Sequence, residues 1–204
     1  KKLIDVLPDS DKKFKKSEIP ETYLNPDIKV AGFGGQGILL LGAALAQAGM
    51  LEDYHVSWLP SYGPEMRGGT ANCHVNIRNL PVGSPVVSNP TVLIALNRPS
   101  LEKFEEDVVK GGLIIFDTSL IDIDVKRSDV EVLRIPATQL ADKLGNTRTA
   151  NMITMAAYAA YTGLFSRESL YETLKTAIKR RVLIDINKKA VDVGYEFGLS
   201  VRKK

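Results

Sequence analysis

The sequence predicts an α/β fold: a mostly parallel sheet with helices on both faces and an added antiparallel hairpin. Short apolar runs such as "TVLIALN" and "LIIFDTS" have the composition of strands buried on both faces. These runs alternate along the chain with helical patterns, an order that places strands side by side in parallel with helices packed over them. One segment, "TANCHVNIR", breaks the rule by alternating. Ala71, Cys73, Val75 and Ile77 interleave with Thr70, Asn72, His74 and Asn76, the period of a strand buried on one face only.

Taken in order, residues 1–27 carry many charges and three prolines without sustained periodicity, and are expected as an arm outside the core. Residues 28–204 are expected as one domain. Residues 28–31 form a first short strand, and 38–49, rich in Leu and Ala, a helix entered through glycines. "HVSWL" is a second strand. The loop "PSYGPEMRGG" leads to the alternating strand, and "NLPVG" turns the chain. "TVLIALN" and "LIIFDTS" flank a helix near 99–109, and "VEVLRIPA" is a further strand. From Thr138 onward the pattern is helical, with "NMITMAAYAAYTG", "SRESLYETLKTAIKR" and "DINKKAVDVGYEFG" each bounded by Gly, Ser or Asn.

At 204 residues the chain suits one substantial core. A formal charge of +3 is too mild to imply a nucleic-acid partner. The longest nearly uncharged run, residues 38–51, is shorter than the roughly 20 apolar residues that cross a bilayer. The expectation is a soluble, cytoplasmic protein without nucleic-acid or membrane partners. With Cys73 as its one cysteine, the chain can build neither an intramolecular disulfide nor a thiolate cluster for zinc or iron–sulfur.

"GFGGQG" fits G-x-G-x-x-G through Gly32, Gly34 and Gly37, and stands after a strand and before a helix, as in Rossmann-like dinucleotide sites. Its glycines would let the backbone approach a pyrophosphate held on the free N–H groups of the helix. The acid that holds ribose hydroxyls at the end of the second strand is missing: Glu52 and Asp53 precede that strand, and Pro60, Ser61 and Tyr62 end it. A tight strand-to-helix turn packed on the sheet, or against another protein, explains the glycines better. "SYGPEMRGG" joins an aromatic, a carboxylate, a guanidinium and glycines at the carboxyl end of a strand, the edge where open α/β sheets bind ligands. Arg67 could hold a carboxylate or phosphate, Tyr62 stack or donate, and Glu65 position Arg67; a surface turn with Glu65 paired to Arg67 is the alternative. Cys73 and the two histidines, His55 and His74, read as structural. In "RTANMI", Arg148, Thr149 and Asn151 gather at a helix N-terminus that could receive an anion, with capping by Thr149 as the ordinary explanation.

In this order, "GFGGQG", "PSYGPEMRGGTANCHV", "NPTVLIALN", "IPAT" and "NTRTANMI" resemble segments of the gamma subunit of the 2-oxoacid:ferredoxin oxidoreductases, and the likeness runs from about residue 28 to residue 198. The same module resembles one domain of the single-chain pyruvate oxidoreductases and part of the indolepyruvate enzymes. "SYGPEMRGG" looks more like the 2-oxoglutarate and branched-chain 2-oxoacid groups than the pyruvate group, which has a variant of "EYGAERRGAP" there. The resemblance implies oxidative decarboxylation of a 2-oxoacid with coenzyme A, giving an acyl thioester, carbon dioxide and reduced ferredoxin, with thiamine diphosphate, magnesium and iron–sulfur clusters. This chain lacks the thiolates for a cluster and a "GDG" segment followed by asparagine for the thiamine magnesium. Those cofactors are expected on alpha, beta and, where present, delta subunits, with ferredoxin as electron acceptor and the isolated chain inactive.

The residues expected to meet a cofactor or a neighbouring subunit are Gly34, Gly35, Gln36, Gly37, Ser61, Tyr62, Gly63, Glu65, Arg67, Gly68 and Asn151, with no catalytic or metal-binding residue among them. A free-standing Rossmann-type nucleotide-binding oxidoreductase and a purely structural interaction subunit are the alternatives.

Overall fold

The computed structural model describes residues 19–61 and 70–202. Six strands form one sheet in the order β2-β3-β1-β4-β5-β6: β1 (Asp27–Phe33), β2 (His55–Ser61), β3 (Thr70–Arg78), β4 (Val92–Ala95), β5 (Leu113–Asp117) and β6 (Glu131–Ile135). β1, β4, β5 and β6 run parallel. β3 pairs antiparallel with both β1 and β2, so the expected hairpin is present and its second strand is inserted beside β1. β4 and β5 are buried along their whole length, which is why their sequences are continuous apolar runs rather than alternating ones.

The larger core lies on one face of the sheet. It is covered by α2 (Ile38–Leu51), α5 (Ala150–Thr162), α6 (Arg167–Ala177) and α7 (Ile184–Val201), with α4 (Ala137–Lys143) at the β6 side. α5 is the centre of this layer, with every residue from Asn151 onward buried. α7 crosses it at close range because Gly194 and Gly198 carry no side chains. A Cβ on Gly194 would lie 2.2 Å from Ile153 O, and one on Gly198 2.4 Å from Ala157 O. The helix expected near 99–109 is α3 (Arg98–Phe104), followed by a 3-10 turn over Glu105–Asp107. Together with the irregular segment 118–130 it covers the second face over a smaller core of Leu93, Leu101, Ile114 and Phe116. Arg127 fixes that segment by pairing with Asp129 at 2.7 Å and donating to the Glu105 and Val108 carbonyls.

Of the expected arm, residues 19–27 are described; Asp27 already opens β1, and residues 19–26 lie against the core rather than outside it. Ile19 and Tyr23 are buried in the main cluster, and α1 (Glu21–Leu24) is anchored where Tyr23 and Tyr161 both donate to Glu131. Prolines hid this short helix from its sequence pattern. Among the described residues no helix is long and apolar enough to cross a membrane.

Candidate functional site

The glycine-rich turn sits at the carboxyl edge of the parallel strands. β1 ends at Phe33, and residues 34–37 turn the chain into α2, with φ of 97° at Gly35 and 76° at Gly37. Left-handed backbone of this kind costs a residue with a Cβ about 1–2 kcal/mol. Gln36 clamps the turn: its Oε1 accepts from Phe33 N–H at 2.6 Å, and its Nε2 donates to Leu96 O at the end of β4, 2.7 Å away. The expected amide of Gln36 is therefore spent largely inside the chain. The N–H groups of Gly34, Gly35 and Gly37 make no backbone hydrogen bond among the described residues, and Gly37 caps α2 without a side chain. That is the condition under which a helix start receives an anion or a partner's carbonyl.

Asn151, in the first turn of α5, reaches the same turn, with Nδ2 3.4 Å from Gly37 O. Between the turn and α5 lies a cleft of about 210 Å³, lined by Gly35, Gln36, Asp117, Thr138, Arg148 and Asn151, among others. The Asp117 carboxylate is saturated, accepting from the Thr138 N–H and hydroxyl at 2.9 and 2.6 Å and from Ser119 N–H at 2.9 Å. It ties the end of β5 to the start of α4, which accounts for Thr138 in "IPAT". Arg148 is exposed at the mouth and forms no ion pair among the described residues, so its guanidinium is available for a carboxylate or phosphate. Thr149 does not cap α5. Its hydroxyl donates to Asn146 O at 2.8 Å, and Asn146 caps the 3-10 turn Thr147–Thr149 instead.

On the other side of the glycine turn a second cleft, about 270 Å³, is apolar, lined by Phe33, Ile38, Leu39, Leu40 and Ala71 around the glycines. The turn thus divides a polar hollow from an apolar one. The ends of the second glycine-rich segment are brought to this edge as well: Phe33 pairs with Thr70, and Ser61 with Asn72. Of the expected site residues, Gly34, Gly35, Gln36, Gly37 and Asn151 converge, and Ser61 ends β2 on the same edge. Tyr62, Gly63, Glu65, Arg67 and Gly68 lie outside the described residues.

Among the described residues, no acidic side chain stands at the carboxyl end of β2, where a nicotinamide site holds the ribose hydroxyls. β3 separates β2 from β1, moving the end of β2 a strand further from the glycine turn than in the dinucleotide fold. Glu52 is at the opposite end of α2, accepting from the Ser166 N–H and hydroxyl at 3.0 and 2.7 Å and from the Ser169 hydroxyl. Cys73 is buried on β3 with its thiol pushed up to about 11 by burial, the opposite of a thiolate ligand or nucleophile. His74 is held neutral: burial, reinforced by nearby Lys29, lowers its pKa, and its Nδ1 accepts from Val87 N–H at 3.2 Å.

The sequence also matches known proteins. The family model for pyruvate ferredoxin/flavodoxin oxidoreductase covers residues 27–197. The ketoisovalerate oxidoreductase subunit VorA of Methanothermobacter thermautotrophicus is 40% identical over 191 residues, which is 90% of this chain and 39% of that protein. The chain thus spans about two fifths of the length of that relative. The 2-oxoglutarate synthase subunit KorC of Methanocaldococcus jannaschii is 31% identical over 176 residues, 85% of this chain and 94% of that protein. The solved gamma subunit of the keto/oxoacid ferredoxin oxidoreductase of Geobacter sulfurreducens superposes with a TM-score of 0.74 at 25% identity, covering 86% of this chain and 99% of that one. With the sheet order, the glycine turn and these matches together, the chain belongs to the pyruvate ferredoxin/flavodoxin oxidoreductase family and has the fold of its gamma subunit.

Proposed function

We propose that this chain acts as the gamma subunit of a cytoplasmic, multi-subunit 2-oxoacid:ferredoxin oxidoreductase. Residues 28–204 are its gamma domain, and the preceding segment is an extension whose last turn docks on that domain. The substrate is 2-oxoglutarate or a branched-chain 2-oxoacid in preference to pyruvate, a choice supported by the names of the ketoisovalerate and 2-oxoglutarate relatives. Thiamine diphosphate, its magnesium and the iron–sulfur clusters belong to the alpha, beta and, where present, delta subunits. One buried thiol with a raised pKa does not fit a cluster, which needs thiolates. When bound there, these groups supply decarboxylation and electron transfer, while coenzyme A accepts the acyl group.

The observation that carries the reading is the Phe33–Thr70 pairing, which brings the ends of the second glycine-rich segment to the edge that holds Gly34–Gly37. This chain's contribution is to bind, orient and exclude water at a neighbouring subunit's pocket. The N–H groups of Gly34, Gly35 and Gly37 and the Arg148 guanidinium receive a phosphate or carboxylate of coenzyme A, Arg67 provides a second cation, and the apolar hollow beside Phe33 takes an uncharged part of the ligand or a partner side chain.

The test is anaerobic isolation of the chain from its native cells, identification of what copurifies, and assay of dye reduction with pyruvate, 2-oxoglutarate and 2-oxoisovalerate in the presence of coenzyme A. Recovery with thiamine- and cluster-bearing chains, and activity on one acid, is the expected result. Isolation alone, with bound nicotinamide nucleotide, would overturn it.

A further inference from the structure

The stretch that leaves α6 and runs into the first turns of α7, residues 178–189, reads "IKRRVLIDINKK": Lys179, Arg180, Arg181, Lys188 and Lys189 against the single acid Asp185. It turns through a 3-10 segment, Arg181–Leu183, that joins the two helices. Lys179, Arg180, Arg181 and Lys189 are exposed and form no ion pair among the described residues. Asp185 offsets one of these charges, and the other carboxylates nearby, on α6 and later in α7, are already engaged. Glu172 pairs with Lys175 at 2.5 Å, Asp192 accepts from Tyr171 and Arg167, and Glu196 accepts from Arg167. In the 3-10 turn, next to Arg181, stands Val182, 84% exposed.

This corner therefore carries a net positive charge with one exposed apolar side chain, the inverse of α2, whose outer side (Leu39, Ala43, Met50 and Leu51) carries no charge. Broad uncharged apolar faces suit permanent subunits. Small single-sign patches with little apolar area suit brief, salt-sensitive encounters, the regime of electron-carrier proteins. A nucleic acid would gain nothing from Val182, and the chain's net charge of +3 offers no extended track along a phosphate backbone.

We propose that the corner formed by Lys179, Arg180, Arg181 and Lys189 is part of the docking surface for the acidic ferredoxin that receives the complex's electrons. The proposal rests on the gamma-subunit reading above. The cations raise the encounter rate with an acidic carrier and orient it, and Val182 provides a small dry contact beside Arg181.

The experiment uses the anaerobically purified complex carrying Arg180→Glu and Arg181→Glu together, with the pair Arg180→Lys and Arg181→Lys as a charge-conserving control. Steady-state 2-oxoacid-dependent reduction is measured with ferredoxin and, separately, with methyl viologen, which needs no docking surface. The charge reversal is expected to raise the KM for ferredoxin about tenfold at low ionic strength, an effect that shrinks as salt screens it. The viologen rate and the KM values for 2-oxoacid and coenzyme A should stay unchanged, and the lysine control should behave as wild type. An unchanged ferredoxin KM with intact viologen reduction overturns this proposal alone, as does a parallel fall in both acceptors, which would make the corner an assembly contact. Charge-dependent binding to anionic vesicles or RNA with an unchanged ferredoxin KM would reassign the surface to those partners. No 2-oxoacid-dependent viologen reduction in the wild-type complex would overturn the gamma-subunit reading and this proposal with it.

Discussion

Asn151 Nδ2 donates to Gly37 O across 3.4 Å, and a Cβ built on Gly37 would come within 2.3 Å of that same nitrogen. The first turn of α5 and the entry of α2 are thus in contact at a point where only glycine fits, for two reasons, since Gly37 is also left-handed at φ 76°. Gly35 isolates the second reason. Its φ is 97°, and nothing lies within 4 Å of its Cβ position. Gly35→Ala should cost about 1–2 kcal/mol through backbone strain alone, and Gly37→Ala more, by displacing Asn151. Denaturant midpoints of the two variants check the order, and equal losses would remove the Asn151 contact from the explanation.

Gly194 and Gly198 stand four apart on α7 and let its backbone meet the α5 carbonyls. Replacing either by alanine forces the helices apart, and overpacking of this kind costs about 1–3 kcal/mol. Thermal unfolding should show each variant destabilised. Gly83→Ala, a loop glycine with open space around its Cβ position, should leave the melting temperature nearly unchanged.

Glu52 ties the end of α2 to the start of α6, where Ser166 also caps the helix by accepting from Ser169 N–H. Truncation to alanine removes the shared acceptor of two hydroxyls and one backbone N–H in a partly buried site, leaving the hydroxyls only each other, at a cost of about 1–3 kcal/mol. Turnover of the assembled complex should fall only as far as stability does, because Glu52 lies at the opposite end of α2 from the glycine turn. A rise in the KM for coenzyme A without loss of stability would contradict that separation.

His74 gives the protein an acid limb. Its folded pKa lies below the ordinary 6.5, with burial as the largest cause, so as pH falls through 6.5 the unfolded chain takes up a proton that the folded one refuses. Stability conferred by the neutral ring is therefore full above that value and declines toward the lowered folded pKa. The melting temperature should drop as pH falls below about 6.5, and His74→Gln should flatten the profile on that acid side. An identical slope in the variant would assign the acid limb to other groups.

The strands of the fold were legible wherever burial imposes a period. β3 announces itself by the alternation of Cys73, Val75 and Ile77 with His74 and Asn76, and β4 and β5 by unbroken apolar runs. Strand order was not legible locally, since nothing within "HVSWL" or "TANCHVNIR" says that β3 will lie between β1 and β2; that is decided by long-range pairing. The site was half visible. The glycines, Gln36 and Asn151 could be named from their pattern, whereas the engagement of the Gln36 amide, the saturation of Asp117 by Thr138 and the diversion of the Thr149 hydroxyl to Asn146 depend on partners that the chain brings together only on folding. Arg148 stands at a helix start in the sequence pattern, but that it forms no ion pair among the described residues could not be read from the sequence. The helix-to-helix glycines of α7 were in plain view as a four-residue spacing inside "VGYEFG", a signal that marks close helix approach.

α5 has no solvent face after its first residue, and that sets how the molecule can breathe. An outer helix can detach and expose its amides while the rest stays folded, whereas α5 cannot leave without α2, α6 and α7 separating from one another. Its amide hydrogens should therefore be among the last to exchange with deuterated water, at a rate set by global opening. Asn151 and Arg148 are mounted on or beside the element with the least freedom to open locally, so the polar side of the carboxyl-edge cleft is held as firmly as the fold itself, independent of whatever neighbour closes over it.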